Sequence, residues 1–218
     1  MLLRTRTAAR SAARAGFTLI ELMAAMLIIG ILMAFLLPNV ISAFSQANVT
    51  ASTANLKEIH KGIIAYKTKY DKLPNKYSGV QFFTCLIFDK VWENTPANAK
   101  KLTCPSVETD ALPGLAGLPP EEWFVDKEII DGSYSSYAGR DTENHPLRKV
   151  SGHDAWVATD NDPVMNFETT TLVLYGDGNV RKLEIVTLQE DGVLGPEENY
   201  LEVGPGSPVE DLQALSLD

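Results

Sequence analysis

The sequence predicts an α+β fold, in which a long N-terminal helix, transmembrane and then amphipathic, packs on a small antiparallel β-sheet head. Three observations predict it: a long apolar run near the N-terminus, a stretch with apolar side chains at helical spacing, and two alternating runs around a turn. They occupy residues 17–37, 49–70 and 170–186. Helical and strand segments that are separated along the chain are typical of this class. The 218 residues are enough for one domain and an appendage.

The first 16 residues form a basic segment before the apolar run. They contain four arginines and no acid, so the rest of the chain has 15 Lys and Arg against 28 Asp and Glu. We expect no nucleic-acid partner, because contacts to phosphate groups need clustered Lys and Arg. An acidic remainder of this kind favours solubility and repulsion from anionic surfaces.

Residues 17–40 are predicted to form a transmembrane helix. The apolar run from Phe17 to Leu37 would be about 30 Å long as a helix, which matches the hydrocarbon thickness of a bilayer. The arginines before it predict a cytoplasmic N-terminus, with the remainder of the chain on the other side of the membrane. Glu21 lies inside this run. A carboxylate there costs roughly 2.5–3.5 kcal/mol on insertion scales, so we expect it to have a functional role and a positive partner.

Two simple explanations of the N-terminal segment remain open at this point. A signal peptide would end at Ser45-Gln46-Ala47, a small-x-small site, although its apolar region is usually only about 7–15 residues long. A plain signal anchor explains the length and the orientation of the segment. In an anchor, Glu21 would simply reach toward the lipid headgroups, and its position would have no further meaning.

Residues 41–74 are predicted to continue the helix in amphipathic form. Pro38 removes a backbone donor and is expected to kink the helix. After it, apolar residues recur at three- and four-residue steps, which indicates one buried stripe that only Ser52 interrupts. The stripe consists of Val49, Leu56, Ile59, Ile63, Tyr66 and Tyr70. Pro74 forbids further helix. His60, beside the stripe, is interpreted as a partly buried polar residue and not as a ligand.

Residues 75–203 are predicted to form the globular head, and residues 204–218 a flexible acidic tail. The clearest unit is a hairpin, because runs at 170–175 and 180–186 flank the sequence Gly-Asp-Gly-Asn. Asp-Gly supports the positive φ angles of a tight turn. The other elements expected in the head are a short helix within 82–92 and short strands within 132–139 and 154–158.

Two cysteines lie in the predicted head. In an exported domain, Cys85 and Cys104 are a possible disulfide, which would stabilise by about 3 kcal/mol in the chain-entropy model. Two separate thiols are the alternative, since a pair of cysteines alone does not establish a bridge.

The chain carries no recognised catalytic motif, and its three histidines are scattered. Asp160 and Asp162 begin an acidic segment, but Pro163 and Val164 follow where an EF-hand needs further oxygens and a glycine. The acidic residues of 188–199 are open to two interpretations, a calcium loop or solvated turns. We expect solvated turns and therefore no metal. Because no catalytic or cofactor-binding motif is present either, we expect no catalytic residue and no cofactor.

The stretch "GFTLIEL" resembles the prepilin signature of type IV pilins and type II secretion pseudopilins. The resemblance implies that residues 1–16 are a basic prepilin leader. A prepilin peptidase would cut between Gly16 and Phe17 and methylate the new N-terminus. Glu21 is then the fifth residue of the mature chain, and Pro38 lies where many members have a kinking proline. The segment "NLKEIHKGIIAYKTKYDKLPN" also resembles pseudopilins. The head is similar to a large bacterial prepilin-type subgroup in "CPS", "SYAG" and the Asp177-Gly178 turn, with Asn179 where many members have histidine.

This resemblance implies a structural subunit and no enzyme. The Glu21 carboxylate of one chain would pair with the Phe17 amine of a neighbour and fix the register between apolar helices. The implied partners are further copies in a filament, prepilin peptidase, an inner-membrane assembly platform and minor pseudopilins. The chain would cross the bacterial inner membrane once, with a periplasmic head, and then enter a periplasmic or surface filament. A type II pseudopilus is favoured over a pilus. The alternatives are an exported enzyme or binding protein, and a minor tip pilin that binds a ligand.

Overall fold

The structure is a computed structural model, and it describes residues 17–159, 167 and 169–218; at positions 38 and 41 it describes the helical backbone alone. The predicted leader with Gly16, and the acidic pair Asp160 and Asp162, lie outside the described residues. The chain divides into two compact units between Ala43 and Phe44. A single helix, α1, runs from Leu19 to Tyr70 and contributes to both.

Helix α1 ends close to the predicted position. Asp71 follows it with φ of +54°, a left-handed conformation that stops the helix. Pro74 lies a few residues further on. The amphipathic part of the helix is therefore slightly shorter than the predicted 41–74. That helix α1 bends at Pro38 stays a prediction.

The second unit is built around a five-stranded antiparallel sheet with the order β4-β3-β2-β1-β5. The strands are β1 Tyr137–Arg140, β2 Ala155–Thr159, β3 Thr170–Tyr175, β4 Val180–Glu184 and β5 Leu215–Ser216. The shorter helices are α2 Gln81–Phe88, α3 Pro96–Lys101 and α4 Ile185–Glu190. The predicted α+β class, the short helix and the β3–β4 hairpin are confirmed. Residues 185 and 186, predicted to extend β4, begin α4 instead.

The two faces of the sheet are covered by different parts of the chain. On one face, Trp156, Leu172 and Leu174 pack with the buried stripe of α1 and with α2. On the other face, Val173 and Tyr175 pack with apolar residues of the C-terminal segment 185–215. Alternation along the strands explains the division, since successive side chains point to opposite faces. The second unit thus has three layers: α1, sheet and C-terminal segment.

A register shift in β2 between Ala155 and Val157 modifies this alternation. Trp156 and Val157 are consecutive, yet both pack on the face that meets α1. A bulge places one extra residue on a strand and redirects its side chains. Here it lets a fully buried tryptophan and its neighbour fill the same layer.

The Ser52 interruption of the apolar stripe is a buried polar contact between α1 and β1. Ser52 is fully buried, and its Oγ lies 2.9 Å from the Tyr137 Oη. Burial raises the pKa of Tyr137, which keeps the phenol neutral. A buried hydroxyl is stable only when it is hydrogen-bonded. The serine therefore fixes the position of the helix on the sheet.

We expect Ser52→Ala to destabilise the second unit by about 1–3 kcal/mol, because it removes a partner of the buried Tyr137 hydroxyl. Thr50→Ala, at an exposed position on the same helix, should change the free energy of unfolding far less. Denaturant unfolding of both variants measures the difference. In the double variant Ser52→Ala, Tyr137→Phe the cost should be less than the sum of the single costs; strict additivity would show that the two hydroxyls do not interact.

The expectation of a flexible acidic tail over 204–218 is wrong. Residues 210–214 form a 3₁₀ helix, and β5 pairs with β1 through Gly139 and Arg140. Leu212 and Leu215 are fully buried against the sheet, and the Tyr175 hydroxyl donates to Asp211 Oδ2 at 2.6 Å. The far face of the sheet needs an apolar cover, and these leucines supply part of it. The head therefore extends beyond the predicted limit at residue 203.

Leu212→Ala tests this ordered C-terminus. Because Leu212 is fully buried, its truncation should cost about 2–5 kcal/mol in the free energy of unfolding. The exposed neighbour Gln213, changed to Ala, is the matched control and should cost much less. Chemical denaturation of the two variants gives the comparison, and equal stabilities would mean that the C-terminal segment is not packed in solution.

Candidate functional site

The first residues of α1 present an unusual combination of an apolar surface and a single charge. Every described side chain from Phe17 to Leu37 is exposed, and Glu21 is the only charged residue between positions 17 and 56. Phe17 itself is 89% exposed. By length and composition, α1 is able to cross a membrane. An apolar surface of this size is not stable in water, so it requires lipid or other protein chains around it.

Thr18 and Glu21 form a reciprocal cap at the N-terminus of α1. The Thr18 backbone N–H and hydroxyl donate to Glu21 Oε2 at 2.9 and 2.8 Å, and the Glu21 N–H donates to Thr18 Oγ1 at 3.3 Å. This is the capping-box arrangement, which satisfies amide groups that a helix start otherwise leaves without partners. The cap holds the carboxylate at the positive end of the helix dipole.

The cap leaves one carboxylate oxygen of Glu21 available. Within the described part of the chain, the hydrogen bonds of this side chain all go to Oε2. Oε1 therefore retains its capacity to accept from a donor that another molecule brings. A carboxylate offers about four lone-pair positions, so the local cap and an external ion pair are compatible.

The predicted site residues are brought together only in part. Glu21 lies in the first turn of α1, and Phe17 lies two residues before the helix begins at Leu19. Thr18, between them, is a residue that the sequence analysis did not single out. The signal for Thr18 was present, because Thr-x-x-Glu before an apolar run is a helix-start pattern. Gly16 lies outside the described residues, and Pro38 is described by its backbone alone.

The possible disulfide between Cys85 and Cys104 is not formed in the structure, where both are buried thiols. Cys85 Sγ donates to the Phe82 carbonyl within α2, and Cys104 Sγ lies 3.8 Å from Ser52 Oγ. Leu86 of α2 packs closely against Gly62 of α1. The segments that carry the two thiols thus contact α1 at Ser52 and Gly62, ten residues apart, which is about 15 Å along the helix axis. The Cα atoms of disulfide-linked cysteines usually lie within about 7 Å of each other. Burial raises the pKa of the Cys85 thiol well above its ordinary value.

His60 is partly buried, as predicted, and it contacts the hairpin turn. Its Nε2 lies 3.0 Å from the Gly176 carbonyl oxygen at the hairpin turn, and its ring stacks on Trp156 with centroids 5.3 Å apart. Among the described residues no group of three or more His, Cys, Asp and Glu is arranged to hold a metal. In the segment 188–199, Glu198 Oε2 accepts from the Gly195 N–H at 2.7 Å, within an exposed turn.

The N-terminal segment of the chain matches the model of a known protein family. Residues 11–37 match the family model described as the prokaryotic N-terminal methylation motif, which is the signature of type IV pilins and pseudopilins. The motif implies processing by prepilin peptidase and filament assembly, and it indicates a structural, pilin-like protein. Neither the curated proteins nor the solved structures give a significant match to the chain. The matched segment contains the Thr18–Glu21 cap and most of the exposed apolar surface.

Proposed function

We propose that the chain is a subunit of a type II secretion pseudopilus, or of a related pilus-like filament, and that it polymerises through the first part of α1. The observation that carries the proposal is the capped Glu21, the single charge on the exposed apolar first part of α1, within the matched methylation motif. Such a helix needs other helices or lipid on all sides, which a membrane and then a filament core provide.

Processing creates the positive partner of Glu21 in this proposal. A cut between Gly16 and Phe17 frees an ammonium group one residue before the Thr18 cap. In a stack of subunits, the ammonium of one chain meets Oε1 of Glu21 in its neighbour, while Oε2 stays in the cap. Each charge then offsets the desolvation cost of the other. Because apolar helices slide past one another without penalty, this pair sets their axial register.

The membrane arrangement follows from the charges in the sequence. The four arginines before position 17 hold the N-terminus in the cytoplasm, and the acidic head stands in the periplasm. Assembly then needs prepilin peptidase, an inner-membrane platform and minor pseudopilins. A pseudopilus is favoured over an adhesive or motility pilus because the joining segment after the membrane resembles pseudopilins and the head is small.

The rival function is that of an exported enzyme or binding protein, which would use residues 1–47 for targeting only. It requires either no cleavage or a cut after Ala47. That position lies inside helix α1, whereas the Gly16–Phe17 junction immediately precedes the cap. The described residues also lack a metal cluster, although an open depression of about 690 Å³ lies between α1, α3 and residues 103–110.

Mass spectrometry of the N-terminal peptide, from protein isolated in its native membrane, tests the proposal. We expect a chain that starts at Phe17 with a methylated amine. A chain that starts at Asn48, or that keeps Met1, would refute the filament function and return the search to the head. A second preparation, from cells that overexpress the assembly platform, should contain filaments when it is examined by electron microscopy.

A further inference from the structure

The outer surface of α1 in the second unit, opposite to its buried stripe, carries two lysines among short side chains. At 100° per residue, one face of the helix presents Lys57 and Lys61, and the other exposed residues on it are Thr50, Ala54, Ala65 and Thr68. We call this surface the basic face. Lys61 Nζ pairs with Glu58 Oε1 at 2.7 Å in an exposed contact, and Lys57 has no ion pair within the described residues.

The layer on the far side of the sheet has the opposite charge. Residues 183–218 contain nine Asp and Glu and no Lys or Arg. Eight of these carboxylates are exposed. Glu184 pairs with Lys182, and Asp218 accepts from the Gly132 N–H; in the described part of the chain none of the other six has an ion pair. We call them the acidic layer, which consists of Glu190, Asp191, Glu197, Glu198, Glu202 and Glu210. The buried leucines of this segment fix it on the sheet, so the negative charge is held in place.

The basic face and the acidic layer lie on opposite sides of the same sheet. They are therefore two different surfaces with complementary charge, and neither is complementary to itself. A twofold dimer needs a self-complementary patch, whereas a head-to-tail contact needs two distinct surfaces and continues into an open helical array when its rotation does not close. The head has two such distinct surfaces of opposite charge, as a head-to-tail array requires.

We propose that the basic face of one subunit docks against the acidic layer of a second copy of this chain. This inference rests on the proposed function and names the contact between heads. When subunits bundle through residues 17–43, the attached heads are crowded together and α1 is partly covered. Covering Lys57 without a carboxylate would be costly. The adjacent Glu58 already pairs with Lys61, and Lys57 has no ion pair among the described residues, so the neighbour's acidic layer supplies its partner.

Zero-length cross-linking of wild-type filaments tests this contact. Carbodiimide joins a lysine amine directly to a carboxylate, so only groups in contact react. In filaments grown from a mixture of ¹⁴N and ¹⁵N subunits, we expect mixed-label peptides that join Lys57 or Lys61 to the acidic layer. The inference is overturned if these two lysines remain unlinked, or link only elsewhere, while other lysines of the same filaments do form cross-links.

Charge reversal gives an independent readout. Lys57→Glu with Lys61→Glu should lower the filament yield by about tenfold or more, because like charges then face each other. The control Lys127→Glu with Lys149→Glu makes the same change in net charge at exposed positions and should leave the yield within about twofold. Glu197→Lys with Glu198→Lys should also assemble poorly. Co-expression of the two defective variants should restore filaments, since each supplies the surface that fits the other.

The outcomes separate this inference from the proposed function. Absence of filaments in the wild type refutes both. Normal wild-type filaments without the expected cross-links, or defective variants that do not rescue each other, refute only the docking of the basic face on the acidic layer.

Discussion

Glu21→Ala should insert into the membrane and be processed, yet yield few or no filaments. The carboxylate is the only group on the apolar part of the helix that a neighbour's ammonium can pair with. Its loss leaves that ammonium buried without a partner, and breaking a buried ion pair commonly costs about 3–5 kcal/mol at each contact. Filament yield, measured by shearing and immunoblotting and normalised to membrane-bound subunit, is the readout. A normal yield would remove Glu21 from the assembly mechanism.

Two variants separate the ion pair from the helix cap. Glu21→Gln keeps an oxygen that accepts from Thr18, as capping boxes allow, but removes the charge. Thr18→Val removes the two hydrogen bonds of the Thr18 hydroxyl but keeps the backbone bond to Glu21 Oε2 and the charge, at an expected cost of about 0.5–2 kcal/mol. We expect Glu21→Gln to assemble almost as poorly as Glu21→Ala, and Thr18→Val to retain most of the yield. The reverse order would assign the role of Glu21 to local capping.

Gly16→Val should accumulate in the membrane as an uncut precursor. By resemblance to prepilins the cleavage follows this glycine, whose lack of a side chain lets a protease approach the backbone closely, whereas valine is branched at Cβ. Retention of residues 1–16 is visible as slower migration in a gel and as a missing N-methyl-Phe peptide. Ala15→Val places the same side chain one position earlier and should be processed. Cleavage of Gly16→Val at the wild-type rate would place the junction elsewhere.

Patterns of neighbouring residues predicted the elements whose formation depends mainly on neighbouring residues. The stripe of α1 and the β3–β4 hairpin were both readable, because spacing and the Asp-Gly turn report on the backbone directly. Ser52 was misinterpreted as a break in the stripe. Only the position of Tyr137, 85 residues further along the chain, shows that the serine belongs to the core.

The expectation of a flexible C-terminal tail is wrong for the same physical reason, namely that the order of this segment depends on contacts with residues far away in the sequence. Leu212 and Leu215 lie among acidic, Pro and Gly residues, and β5 has only two residues, too few for a strand pattern. What orders them is the uncovered far face of the sheet, which does not exist until the strands pair. Thr18 differs from these cases, because its role is readable from the sequence: Thr-x-x-Glu before an apolar run is a capping pattern. The charge of Glu21 was considered in the sequence analysis, but its distance of three residues from Thr18 was not.

The same long-range pairings have a consequence for the time course of folding. The Val80 N–H donates to the Leu217 carbonyl, and His60 meets Gly176, so contacts that close the second unit join residues more than a hundred positions apart. Chains dominated by such pairings fold slowly, because the entropy of closing large loops is lost before the contacts form. If the chain is exported from its N-terminus, Leu56, Ile59 and Ile63 emerge well before the strands that cover them. A periplasmic chaperone that shields this stripe during translocation should therefore raise the yield of folded head.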